Sequence, residues 1–195
     1  MTLNPLFPTG GARRAAKISA RVFAGLLGLI AVASCASKED IANYPCPVVS
    51  SVREFSYLTK FEGESQDLSD TLYEAKVDAV LPAANCVYQE DSEGNRAIVY
   101  DIRVQFLAQR GPKEREGLAK FDYFMAITGP GGSRVAGEVF PTEVVFKDNA
   151  TQAIQIEELQ ARIPLKAGEN GDYYRIRIGF ALSAKEEAYN RKNPR

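Results

Sequence analysis

Much of the chain is written in period two. Tyr73, Ala75, Val77, Ala79 and Leu81 alternate with Glu74, Lys76, Asp78 and Val80. Ile98, Tyr100, Ile102, Val104 and Phe106 alternate with Val99, Asp101, Arg103, Gln105 and Leu107. Phe121, Tyr123, Met125 and Ile127 repeat the pattern, and Tyr174, Ile176, Ile178, Phe180 and Leu182 carry it against Tyr173, Arg175, Arg177 and Gly179. Side chains alternate across a strand, so each run predicts one face in a core and one in water. Less regular runs over 48–58, 135–146 and 153–165 predict further strands. The breaks at 91–95, 110–117, 129–133 and 167–171 hold Gly beside Asp, Asn or Pro, which is turn chemistry. About seven strands with no helical period between them predict an all-β chain folded as one antiparallel β-sandwich. Their number and lengths suit an immunoglobulin-like or fibronectin-III-like arrangement, without the Cys-Trp-Cys hallmark of true immunoglobulin domains. After Leu182 the period changes. Ser183 and Glu186 have capping-box spacing, which predicts a short C-terminal helix through about Tyr189, packed on one end of the sandwich, with 190–195 as a frayed tail.

The N-terminal part reads differently. Residues 1–21 carry Arg13, Arg14, Lys17 and Arg21 and no acid, and 22–33 are twelve residues without a charge. That is a basic arm followed by an apolar run of signal-peptide length, well short of the roughly 20 residues that cross a bilayer. It closes on Val32-Ala33-Ser34-Cys35, which resembles the lipobox of bacterial lipoproteins. The resemblance implies that 1–34 are removed and that Cys35 is diacylated as the new N-terminus. Residues 35–45 would then be a lipidated tether, 46–183 the sandwich domain and 184–195 the helix and tail. Arg13-Arg14 matches the twin-arginine pattern poorly, because Ala15, Ala16 and Lys17 follow it. Ala36 and Ser37 behind the cysteine imply, by the same resemblance, the periplasmic face of an outer membrane.

Composition narrows the chemistry. The chain has no histidine and no tryptophan, so imidazole-based triads and His-ligated zinc or haem are excluded. Residues 35–195 hold 20 Lys and Arg against 25 Asp and Glu, a net charge of −5 that argues against a nucleic-acid partner. Beyond Cys35 only Cys46 and Cys86 remain. In an exported domain an even pair reads as a disulfide, the alternative being two unpaired buried thiols.

Short motifs distributed over 46–190 also resemble a family of uncharacterised bacterial envelope lipoproteins. They are Cys46-Pro47, Leu58-Thr59-Lys60-Phe61, Cys86, Gln109-Arg110-Gly111-Pro112, Val139-Phe140-Pro141, Ile163-Pro164-Leu165 and Tyr189-Asn190. The resemblance implies envelope location and a single all-β domain. It brings no active site.

Candidate constellations are few. Asp91–Asn95 runs straight into a strand, so it reads as a hairpin turn and not as a calcium loop. Gly129, Gly131 and Gly132 lack a following Gly-Lys-Ser/Thr and read as a hairpin loop. Glu62, Glu64, Asp67 and Asp70 lie on a polar loop, as solvated charge or a loose divalent-ion site; glycosidase work would need two of them held roughly 5–9.5 Å apart in a cleft. Arg103, Arg175 and Arg177, with Gln155 and Glu157 if Ile154 and Ile156 face inward, lie on outer strand faces. If those strands share a sheet, Arg103, Arg175, Arg177 and nearby Tyr173 form a candidate recognition face. The reading is therefore a lipid-anchored, non-catalytic binding or structural module with no cofactor and no metal. Its partners would be the membrane, through Cys35, and an envelope protein or glycan. The rival readings are a small-ligand or glycan-binding module and a carboxylate-based hydrolase.

Overall fold

The computed structural model describes residues 44–195. Cys35, the apolar run and the basic arm lie outside the described residues. Nine strands and one helix follow in the order β1 (Val48–Ser51), β2 (Tyr57–Phe61), β3 (Thr71–Pro82), β4 (Val87–Glu90), β5 (Arg96–Arg110), β6 (Leu118–Thr128), β7 (Arg134–Val145), β8 (Gln152–Leu165), β9 (Arg175–Phe180) and α1 (Ala184–Lys192). They form a sandwich of two sheets. One has the order β1-β9-β6-β7; the other runs β2-β3-β5, with β4 and β8 also paired to β5.

β5 is the spine of the five-stranded sheet. β8 pairs along it from Arg96 to Gln109. On its other edge β3 covers Ile102 to Arg110 and β4 covers Arg96 to Val99. β3 and β4 are thus one strand interrupted by a four-residue excursion, 83–86, which carries Cys86 out of the ladder. Between the sheets the core is aromatic. Phe106 of β5 reaches across to Phe121, Tyr123 and Phe180, with ring centroids 5.3, 4.8 and 5.6 Å away. Offset and edge-on contacts of this kind add to the free energy of burial.

Four expectations about the strands are corrected. The 48–58 run is not one strand: a 3-10 turn at Arg53–Phe55 carries the chain from one sheet to the other, and Ser56 donates its hydroxyl back to the Val52 carbonyl at 2.7 Å. β1 pairs with β9 in parallel, so the sandwich is not wholly antiparallel. A bulge between Val77 and Ala79 shifts the register against β5. It turns Val80 inward and leaves Leu81 57% exposed. In β8 the inward residues are the odd ones, down to Leu159, Ala161 and Ile163, so Ile154 and Ile156 face out at 55% and 53% exposure.

The C-terminal helix forms as the capping box predicts. The Ser183 side chain accepts from the Glu186 backbone N–H, and the Glu186 carboxylate accepts from the Ser183 backbone N–H. The helix lies along β2: Asn190 donates to the Tyr57 carbonyl at 2.7 Å, and Phe61 meets Tyr189 edge-on at 5.1 Å. β2 is the outer strand of its sheet, and a helix laid against it blocks further strand pairing. The tail is not frayed, because Arg195 bonds Glu74 and Thr59 and covers the Tyr57 ring at 5.5 Å.

Candidate binding cleft

The strand directions give the sandwich two distinct ends. At one end stand Tyr44–Pro47, the 91–95 turn, the 129–133 turn and the 166–174 loop. At the other are the 62–70, 111–117 and 146–151 loops and the entry to α1.

The first end is stapled. Cys46 and Cys86 form the expected disulfide. Tyr88 donates to the Pro45 carbonyl at 2.7 Å and accepts from the Gly171 N–H at 2.6 Å. Its ring lies 5.0 Å from that of Tyr44, over which the Arg96 guanidinium also sits. A Cβ on Gly171 would fall 2.1 Å from the Pro45 carbonyl oxygen, so only glycine lets the two backbones meet here.

The second end opens into a cleft of about 520 Å³, within the range of small-molecule sites. Its floor is Leu58, Tyr73 and Phe121, buried where the two sheets part. Its rim carries both signs of charge. Lys60 on β2 pairs with Glu186 on α1 at 3.0 Å. Lys120 and Asp122 on β6 and Glu143 on β7 line the same cleft, and their side chains have no hydrogen bond or ion pair among the described residues. Lys120 and Glu143 stand opposite each other in the ladder yet form no salt bridge. A second hollow of about 290 Å³ shares Lys60, Tyr73 and Lys120 and extends the cleft toward Lys113 and Arg115.

Two titratable groups of the cleft are shifted away from neutrality. The Tyr73 hydroxyl donates to the Lys120 carbonyl, and burial, aided by the negative charge of Glu186, pushes its pKa well above that of a free phenol. Glu186 is held below the usual carboxylate range: burial opposes its ionisation, but hydrogen bonds from Ser183 and Lys60 outweigh that cost. The phenol stays protonated and the acid ionised, so neither is tuned toward neutrality as a proton-transfer group would be.

The acidic loop is likewise tied down. Lys113 lies 3.5 Å from Glu62 and 3.6 Å from Asp70, Lys185 lies 2.8 Å from Glu64, and Asp67 accepts from the Ser69 N–H. No three His, Cys, Asp or Glu side chains among the described residues gather as a metal site requires. Asp91 accepts from Glu93 and Asn95, closing the hairpin between β4 and β5.

The candidate recognition face divides. Arg103 lies on β5 and pairs with Glu158 of β8 at 2.9 Å, on the outside of the five-stranded sheet. Arg175 and Arg177 lie on β9 in the other sheet, where Arg175 donates to the Asp172 carbonyl at 2.8 Å. Tyr173 precedes them in a 3-10 turn, half exposed. Arg103 therefore does not share a face with Arg175, Arg177 and Tyr173, because strand order assigned their strands to opposite layers. The cleft residues come from five separate elements. Alternation marked Tyr73 and Phe121 as core and the capping box marked Glu186, but no local signal brought these residues together.

No protein-family profile and no curated protein matches the chain. Among solved structures, the variable (V) domain of the Streptococcus agalactiae AgI/II polypeptide BspA aligns at 8% identity with a TM-score of 0.18, covering 69% of this chain and 78% of that one. Among the described residues no helix is long and apolar enough to cross a membrane.

Proposed function

We propose that this protein is a lipoprotein, held by acyl chains on Cys35 at the periplasmic face of an outer membrane, whose sandwich binds a segment of an envelope protein in the cleft. The observation that carries the binding role is the cleft rim. Lys120, Asp122 and Glu143 offer unpaired charge of both signs on the exposed side of β6 and β7 at its edge, next to an apolar floor. A polypeptide, which presents ammonium, carboxylate and apolar side chains at short intervals, fits that mixture. The disulfide supports an exported domain, since such bonds persist in oxidising compartments.

Crosslinking in intact cells tests the reading. A photoreactive residue at Lys120 should capture one discrete envelope protein, and reversing both charges (Lys120→Glu with Glu143→Lys) should weaken capture. Equal capture from a probe on the opposite flank, such as Gln160, counts against the cleft. Cys35→Ser tests the anchor separately: it should move the protein from the membrane to the soluble periplasmic fraction. A small-ligand reading is favoured by one observation, the cleft volume. A glycan that stacks on an aromatic ring finds no platform there, because Tyr73 and Phe121 are both buried.

A further inference from the structure

The two ends of the sandwich differ in their distance from Tyr44, the first described residue, and that difference gives the cleft a direction. Tyr44 is fixed at the stapled end by Tyr88 and Arg96, two residues before the disulfide. Arg96 opens β5 at that end, and Arg110 closes β5 opposite Tyr73 on the cleft floor. Fourteen residue steps of strand separate them, about 45 Å at roughly 3.3 Å per residue. From Cys35 to Tyr44 is nine steps, at most about 32 Å even when fully extended. A pose with the cleft end pressed on the anchoring bilayer and the stapled end uppermost would need the tether to span more than its length.

We infer that the stapled end faces the anchoring membrane and that the cleft is held away from it, open to a protein presented from the aqueous side. The inference rests on the lipid-anchor reading and adds a direction to it. It also explains how an N-terminus tethered close to a bilayer leaves a binding surface free. The rigid length of β5 exceeds the reach of the tether, so the sandwich itself acts as the spacer. An upright pose that seats the cleft on the headgroups of the protein's own membrane is accordingly closed to it.

Depth-dependent quenching tests this on the acylated full chain in vesicles containing a headgroup-labelled quencher. A fluorophore is placed either at Ser92→Cys, in the turn of the stapled end, or at Arg115→Cys, in a loop of the cleft end. Both positions are exposed, and intact mass confirms that the Cys46–Cys86 bond survives labelling. The Ser92 label should be quenched several-fold more strongly than the Arg115 label. Equal quenching, or stronger quenching at Arg115, overturns the orientation. The same vesicles separate the two readings: if Cys35→Ser binds them as well as the acylated chain does, it is the anchor that fails.

Discussion

Glu114 is a charge that the fold itself depends on. Its side chain is 3% exposed, and one carboxylate oxygen accepts from the backbone N–H groups of Glu116, Gly117 and Leu118. The other oxygen stands 3.1 Å from Arg110 Nε without hydrogen-bond geometry, so both atoms rely on the charge contact alone. Arg110 in turn lies over the Phe146 ring at 5.0 Å and donates to the Phe146 and Asp148 carbonyls, tying two loops together. Removing one member of a buried pair strands the other. Glu114→Ala should therefore cost about 3 kcal/mol in urea denaturation, more than Arg103→Ala, whose pair with Glu158 is exposed. Glu186 adds a pH dependence of known sign. Its folded pKa is lowered, so its contribution is present above the unfolded carboxylate pKa and lost as pH falls through the folded value. Acidifying from pH 7 to below 4 should lower the denaturation midpoint, and Glu186→Gln, which keeps the capping geometry, should flatten that response.

At the scale of elements, α1 is worth more as a cover than as a helix. It has nine residues, none of them buried, so its propensity alone would hardly keep it folded. It persists because Asn190, Tyr189 and Glu186 fasten it to β2. Truncation after Leu182 should leave β2 as a bare edge, and size-exclusion chromatography should then show self-association that the full chain lacks. This element was legible in the sequence because a capping box is local chemistry, and the long strands β5 and β6 were legible for the same reason. The reversals came where a non-local choice overrode the alternation. One extra residue at Asp78 moved Leu81 to the surface, and β8 turned Ile154 and Ile156 outward while Glu157 accepts from Thr142 on the facing strand. β4 was missed because four residues with one half-buried position carry too little pattern to separate from a turn. The separation of Arg103 from Arg175 had no sequence signal at all, since strand order is set by which edges meet.

For the whole molecule, the stapled end and the cleft end divide the labour. The N-terminal crossing from β1 to β2 is a thin connection, and the disulfide closes the forty-residue interval that contains it. By loop-closure entropy that bond should contribute about 4 kcal/mol, measurable as the loss of stability in the Cys46→Ala, Cys86→Ala double variant. The cleft, by contrast, depends on both sheets and α1 being in place together, which is why its rim did not stand out as a site while the chain was read one run at a time.

The staple also decides how the molecule would bear a load. Pulled between residues ahead of Cys46 and the C-terminus, the chain passes tension across the sulfur–sulfur link straight to β4. β1, β2 and β3 are then mechanically silent, and the short parallel ladder of β1 carries none of the strain. Single-molecule stretching under oxidising conditions should therefore fall short of the reduced protein's final extension by about 140 Å, the contour of the forty residues shunted out of the line of force.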